Sequence, residues 1–231
     1  MRDAPLPTGE DKARAVRAMF DAIAPRYDLV NRVMTFGLDI GWRRATARAL
    51  ELPAGSLVID VACGTGDLCR ALARLGLRPV GLDFAHEMLA RATTSAPLVQ
   101  GDALRMPFAD GIADGLTCGF ALRNVADLGV LFAECARVLR PGGRLALLEV
   151  ARPANGLLRA GHRLYFDKVV PLIGGLLSDR AAYSYLPRSA AYLPPPTELL
   201  ALIEEAGFAD VRRRQLGLGA AQVITGRRSW A

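Results

Sequence analysis

The chain has 231 residues, 52% of them hydrophobic, which suffices for one sizeable core and a single domain with elaborations. Its net charge of +6 rests on 29 basic residues, all arginine except Lys12 and Lys168, dispersed along the chain rather than gathered into the stripe that phosphate recognition favours, so no nucleic-acid partner is expected. The N-terminus lacks the apolar core of a signal peptide, and the longest apolar run of the later half, residues 169–177, falls far short of the ~20 residues a spanning helix needs, so a cytoplasmic protein is expected.

Val16, Met19, Phe20 and Ile23 recur at helical spacing and predict a helix over 11–24 that stops before Pro25, inside an N-terminal helical segment spanning 1–50. Strand and helix then alternate: strand 56–61, helix 66–75, strand 79–83, helix 86–93, strand 97–101, strand 115–120, helix 127–139 and strand 143–150. A helix over 197–206 and strands near 209–215 and 220–226 close the chain, with Arg212 to Arg214 read as a solvated strand edge. Parallel strands covered on both faces must be nearly continuous apolar runs, as these are. The pattern therefore predicts an α/β, doubly wound, mostly parallel seven-stranded sheet ending in an antiparallel hairpin. Residues 151–196 form the one long interruption, rich in Tyr183, Tyr185, Tyr192 and Phe166, and read as a helical cap over the sheet's carboxyl edge. Cys63, Cys69, Cys118 and Cys135 make no CxxC pair, and His86 and His162 complete no ligand spacing, so buried thiols and no metal are expected.

"LVIDVACGTGDLCRAL", residues 57–72, carries the first functional signal. Gly64 and Gly66 lie between a strand and a helix, where backbone can approach a ligand and the free N–H groups of the helix start can face it. A dinucleotide fingerprint would place a third glycine where Cys69 stands, and Asp60 sets a carboxylate just before the loop. Coulomb's law then favours a ligand carrying an ammonium and a sulfonium over one carrying a pyrophosphate. Asp83 ends the second strand, seventeen residues after Gly66, where it can accept from both ribose hydroxyls, and Asp102 ends the third. Three acids at the ends of three consecutive strands, with a glycine loop among them, point to a nucleoside-type site at the switch point of the sheet.

"VIDVACGTGDL", "GLDFAHEML", "GDALRMPF" and "RVLRPGGRLALLE" together resemble the successive motifs of class I S-adenosylmethionine-dependent methyltransferases. "FDAIAPRYDLVNRVMTFGLDIGWRR" (20–44), "FALRNV" (120–125), "YSYLPRSAAYLPPPTEL" and "EEAGF" resemble more narrowly the ubiquinone/menaquinone biosynthesis C-methyltransferase family, so the likeness spans nearly the whole chain. The chain departs from the family at Gly119, where serine is usual, at Ala121, where glycine is usual, and at Asp39, where histidine is usual. The resemblance implies S-adenosyl-L-methionine as cofactor, its methionine part around Asp60, Gly64, Thr65 and Gly66, its ribose on Asp83 and its adenine against Asp102 and Ala103, with Phe84 and Met88 as packing partners.

It also implies methyl transfer to a ring carbon of a reduced demethylmenaquinone or related prenylated quinol, with a relative that methylates another aromatic ring at carbon, nitrogen or oxygen as the alternative. A hydroquinone carbon becomes nucleophilic as a phenolic proton leaves, so positive charge near the oxygen helps. Arg123 is the electrostatic candidate, with Asn124 and Tyr27 as hydrogen-bonding partners of the ring. A prenyl tail would suit peripheral membrane contact, and a homodimer is compatible with the sequence. A nicotinamide-binding oxidoreductase is the competing class, disfavoured by Asp60 and the missing third glycine.

Overall fold

In a computed structural model, residues 8–178, 185 and 189–230 are described. Tyr183 of the expected cap lies outside the described residues. Seven strands form one sheet in the order β3-β2-β1-β4-β5-β7-β6: β1 Leu57–Val61, β2 Arg78–Asp83, β3 Leu98–Gln100, β4 Ala113–Gly119, β5 Leu139–Val150, β6 Phe208–Leu216 and β7 Ala221–Arg228. β1 to β5 pair in parallel, while β7 runs antiparallel to both β5 and β6. The doubly wound sheet with a terminal hairpin is thus as the sequence predicts, and Arg212 and Arg214 lie exposed on the edge strand.

Strand alternation sorts the core into two layers. Ile59, Val61, Leu116, Leu145 and Leu147 face α6 (Leu128–Val138) and α9 (Pro196–Glu205), where Phe132, Leu199 and Ile203 meet them. Val58 and Ala146, of opposite parity, face α3 (Leu38–Ala49) and α4 (Asp67–Ala73), packing on Ala47, Leu50, Leu68 and Leu72. All four cysteines are free and buried.

Several boundaries move for local reasons. α4 starts one residue late because Gly66 takes the left-handed conformation at its N-cap, φ +82°. α5 (His86–Ala90) ends early, and the Thr93 N–H instead donates to the Thr65 carbonyl at 3.1 Å. β5 begins four residues sooner than expected: Ala113 pairs with Leu139 but Gly115 already with Arg144, so the Arg-Pro-Gly-Gly stretch is an irregularity inside the strand. The N-terminal segment resolves into α1 (Gly9–Ile23), a 3-10 turn at Ala24–Arg26, α2 (Tyr27–Met34) and α3. The region after β5 is more regular than its composition suggests: α7 (Gly156–Leu164), a π turn (Tyr165–Val169) and α8 (Val170–Leu177) follow one another without a break.

Candidate active site

Two clefts meet above the carboxyl ends of the central strands. The first lies between α1 and the ends of β1, β2 and β4, and is lined by Gly64, Asp83, Phe84, Met88, Asp102 and Ala103 from the predicted set. The second, larger cleft lies between α1 to α3 and the α7–α8 segment, and its lining is largely aromatic and aliphatic, including Trp42, Tyr165, Phe166 and Tyr185. Phe20, Tyr27, Phe120 and Asn124 line both, and so form the partition between them.

Asp83 is the best-held group of the first cleft. Its Oδ2 accepts from the Gly64 N–H at 2.7 Å and its Oδ1 from the Ala85 N–H at 2.9 Å, so the strand-end carboxylate clamps the glycine loop. Burial pushes its pKa up, and these backbone donors oppose the shift. A carboxylate oxygen has two lone pairs, so each retains acceptor capacity toward a ligand hydroxyl. Gly64 has φ +55°, and a Cβ there would stand 3.0 Å from Met88 Cε, inside the cleft wall. Asp102 accepts from the Leu104 N–H at 2.9 Å, a local turn that turns the chain beside Ala103.

The structure corrects Asp60. It shares the parity of Val58, so its side chain points to the α3–α4 layer and not into either cleft. There it is 0% exposed and accepts from Thr117 Oγ1 at 2.8 Å and Cys69 Sγ at 3.3 Å. Burial raises its pKa to about 7 against the lowering effect of those donors. The carboxylate that the sequence places beside a sulfonium is a buried group behind the loop. Thr65 and Gly66 are also set back: the Thr65 hydroxyl donates to Asp28 at 2.6 Å, and a Cβ at Gly66 would meet Thr94 Cγ2 at 2.6 Å, so this glycine is required by packing.

Arg123 lines the second cleft yet is not a free cation. It is 5% exposed, and its Nη1 donates to Glu149 Oε1 at 2.5 Å and to the Phe120 carbonyl at 2.8 Å, while Nε donates to Ser189 Oγ at 3.2 Å. Glu149 is 0% exposed, so the two form a buried, charge-balanced pair. Asn124 lies beside it with a buried Oδ1 that finds no hydrogen-bond partner among the described residues. A buried acceptor left without a donor costs about 1–3 kcal/mol, which a hydroxyl donor on a ligand would recover. Tyr27 stands edge-to-face against Phe20, ring centroids 5.9 Å apart, and burial raises its phenol pKa, so it stays a neutral donor.

Sequence reasoning misses a cluster beneath the second cleft. Asp39, 1% exposed, accepts from Arg43 Nη1 at 2.7 Å, from Thr35 Oγ1 at 2.8 Å and from Arg32; Asp67 accepts both from Arg32 Nη2, at 2.7 Å, and from Arg70. Three guanidinium groups thus share two carboxylates, and Arg43 sits 5.3 Å from the centre of the Phe120 ring. Asp39, one of the family departures, is therefore an ion-pair centre. The other two departures, Gly119 and Ala121, line the first cleft; a Cβ at Gly119 would meet only Leu68 Cδ2, at 3.6 Å. His162, given no role by the sequence, lines the second cleft and stacks on Phe166 at 4.6 Å.

The model of the ubiE/COQ5 methyltransferase family matches residues 8–228. A demethylmenaquinone methyltransferase of Roseiflexus castenholzii is 46% identical over 230 residues, covering 96% of each chain, and one of Deinococcus radiodurans is 45% identical over 232 residues at the same coverage. Among solved structures, an S-adenosylmethionine-dependent methyltransferase of Thermotoga maritima superposes with a TM-score of 0.67 at 20% identity, covering 93% of this chain and all of its own, a likeness of fold.

Proposed function

The chain belongs to the ubiE/COQ5 methyltransferase family, and from that premise we propose that it transfers a methyl group to a ring carbon of a reduced demethylmenaquinone or closely related prenylated quinol. It is an S-adenosyl-L-methionine-dependent methyltransferase. The observation that carries the acceptor reading is the partition: a nucleoside-type cleft and a larger aromatic cleft share one wall of Phe20, Tyr27, Phe120 and Asn124.

The first cleft fits the cofactor by its donor set. In this reading Asp83 holds the ribose hydroxyls, Asp102 and Ala103 flank the adenine with Phe84 and Met88, and the Gly64 loop receives the methionine part, with Thr65 and Gly66 shaping that loop from behind. When bound, S-adenosyl-L-methionine supplies an electrophilic methyl group on a positively charged sulfur. Asn124 Oδ1 accepts from a ring hydroxyl and so orients the acceptor at the partition. Tyr27, kept protonated by burial, donates to a ring oxygen. The Arg123–Glu149 pair holds the wall, and Arg43, on the cationic cluster, supplies positive potential where phenolate charge develops. Holding the two reactants across one wall accounts for up to roughly 7–11 kcal/mol of barrier lowering.

In this reading residues 1–231 form one methyltransferase unit, with 151–196 as its cap, working from the cytoplasmic face of the membrane. The test is incubation with methyl-labelled cofactor and a panel of reduced and oxidised quinones. Label should appear at carbon in reduced demethylmenaquinone or a closely related prenylated quinol, and in none of the oxidised quinones. Label in other aromatic rings with none in any quinol would replace this acceptor with a different one.

A further inference from the structure

α7, the π turn and α8 make one helical rod over residues 156–177. Its inner side is anchored: Val170 is buried among Ile23, Val30 and Met34, and the Tyr165 hydroxyl donates to the Met34 carbonyl at 2.8 Å. Its outer side carries Leu157, Leu164, Leu172 and Leu176, 84%, 64%, 62% and 76% exposed. In a regular α-helix, at ~100° per residue, Leu172 and Leu176 would drift ~80° and ~120° around the axis from Leu164. A π turn holds about one extra residue and takes back ~100°, so all four leucines fall on one line. A rephased row of exposed leucines is an unusual feature for a surface that meets only water.

Two further observations say what the row meets. Arg163 and Lys168 are exposed beside it, and Asp167 is the only carboxylate between residues 156 and 177. Leu164 of the row is followed by Tyr165, which lines the second cleft, and Phe36, 78% exposed, lines the same cleft 5.9 Å from the Tyr165 ring. Among the described residues no helix is long and apolar enough to cross a membrane, so a rod of this kind would meet a bilayer along its side and not through it. A symmetric pair of chains joined through this face would set like charges together, whereas an anionic headgroup layer neutralises them.

We propose that the outer face of the 156–177 rod seats this protein on an anionic lipid surface with the mouth of the second cleft facing the bilayer. Entry of a prenyl tail through that mouth rests on the acceptor reading given above; the seat itself does not.

The test uses the full chain with phosphatidylcholine vesicles, with and without about 30% phosphatidylglycerol, and the double variant Leu164→Asp/Leu172→Asp. The parent should sediment with the anionic vesicles, less so at high salt, and the variant should lose about tenfold or more in partitioning. S-adenosylhomocysteine affinity and turnover of a short-tailed quinol in solution should be unchanged in the variant, which also shows that it is folded. Parent that binds vesicles while methylating no quinol would keep the seat and remove the acceptor. Equal partitioning of parent and variant, or a leucine-dependent dimer in solution with no vesicle binding, would overturn the seat.

Discussion

Asp83 does two things at once, and its replacements touch both. Both oxygens already hold backbone N–H groups of Gly64 and Ala85, so Asp83→Ala would release the loop as well as any ligand. Asp83→Asn keeps one acceptor oxygen, removes the charge and sets its NH2 against one of the two backbone N–H groups, and it should weaken S-adenosylhomocysteine binding by about 1.5–3 kcal/mol or more, the value of a hydrogen bond to a charged group. Calorimetric affinity equal to the parent's would take Asp83 out of the ribose site. Asp60 gives a different signature. Its folded pKa of about 7 lies above the ordinary carboxylate value, so the native state holds a proton that the unfolded chain releases, and stability falls as pH rises from about 4 to 7. The cost above pH 7 is of order 4 kcal/mol. Asp60→Asn should therefore be more stable than the parent in urea at pH 8, with the gain vanishing below pH 4; a gain independent of pH would contradict the assignment.

α1 roofs the first cleft through Ala13, Val16 and Phe20, and it is tied down near its C-terminal end by Asp21, which accepts from the Glu87 N–H at 3.1 Å, and near its N-terminal end by Lys12. Lys12 Nζ donates to the Val125 carbonyl at 2.7 Å and lies 3.8 Å from the centre of the Tyr192 ring, joining α1 to the segment after β4 and to the cap. Lys12→Ala should raise the stopped-flow dissociation rate of S-adenosylhomocysteine about tenfold, since a charged hydrogen bond holds the roof. An unchanged rate would mean that the roof is held elsewhere. The elements themselves were legible in the sequence where pattern decided: β1 and the later half of β5 are nearly continuous apolar runs, and α1 repeats at helical spacing. What the sequence hid was pairing across distance. Arg32 reaches Asp67, 35 positions on, and Arg123 reaches Glu149, 26 on, and no local pattern relates such partners. The same blindness put Asp60 beside the ligand, because its position at the strand end was visible while its parity relative to the clefts was not. The π turn likewise left no mark in the spacing of residues 156–177.

At the scale of the whole molecule, the first cleft draws on α1 and on the ends of β1, β2 and β4, so a ligand there should stabilise the chain as a unit. S-adenosylhomocysteine at a hundredfold its dissociation constant adds about 2.7 kcal/mol. For a chain of this size that should raise the thermal midpoint by roughly 5–11 °C. No shift at saturating ligand would show that the nucleoside site is not formed.

Phe120 has a consequence of its own. It is a non-glycine residue at φ +59°, a conformation that costs roughly 1–2 kcal/mol, and its ring stands in the partition between Arg43 and the first cleft. Glycine at that position would relax the backbone but give up the ring's packing on Trp42 and Leu148 and open a window between the chambers, so the strained backbone is what keeps a solid wall standing between the two reactants.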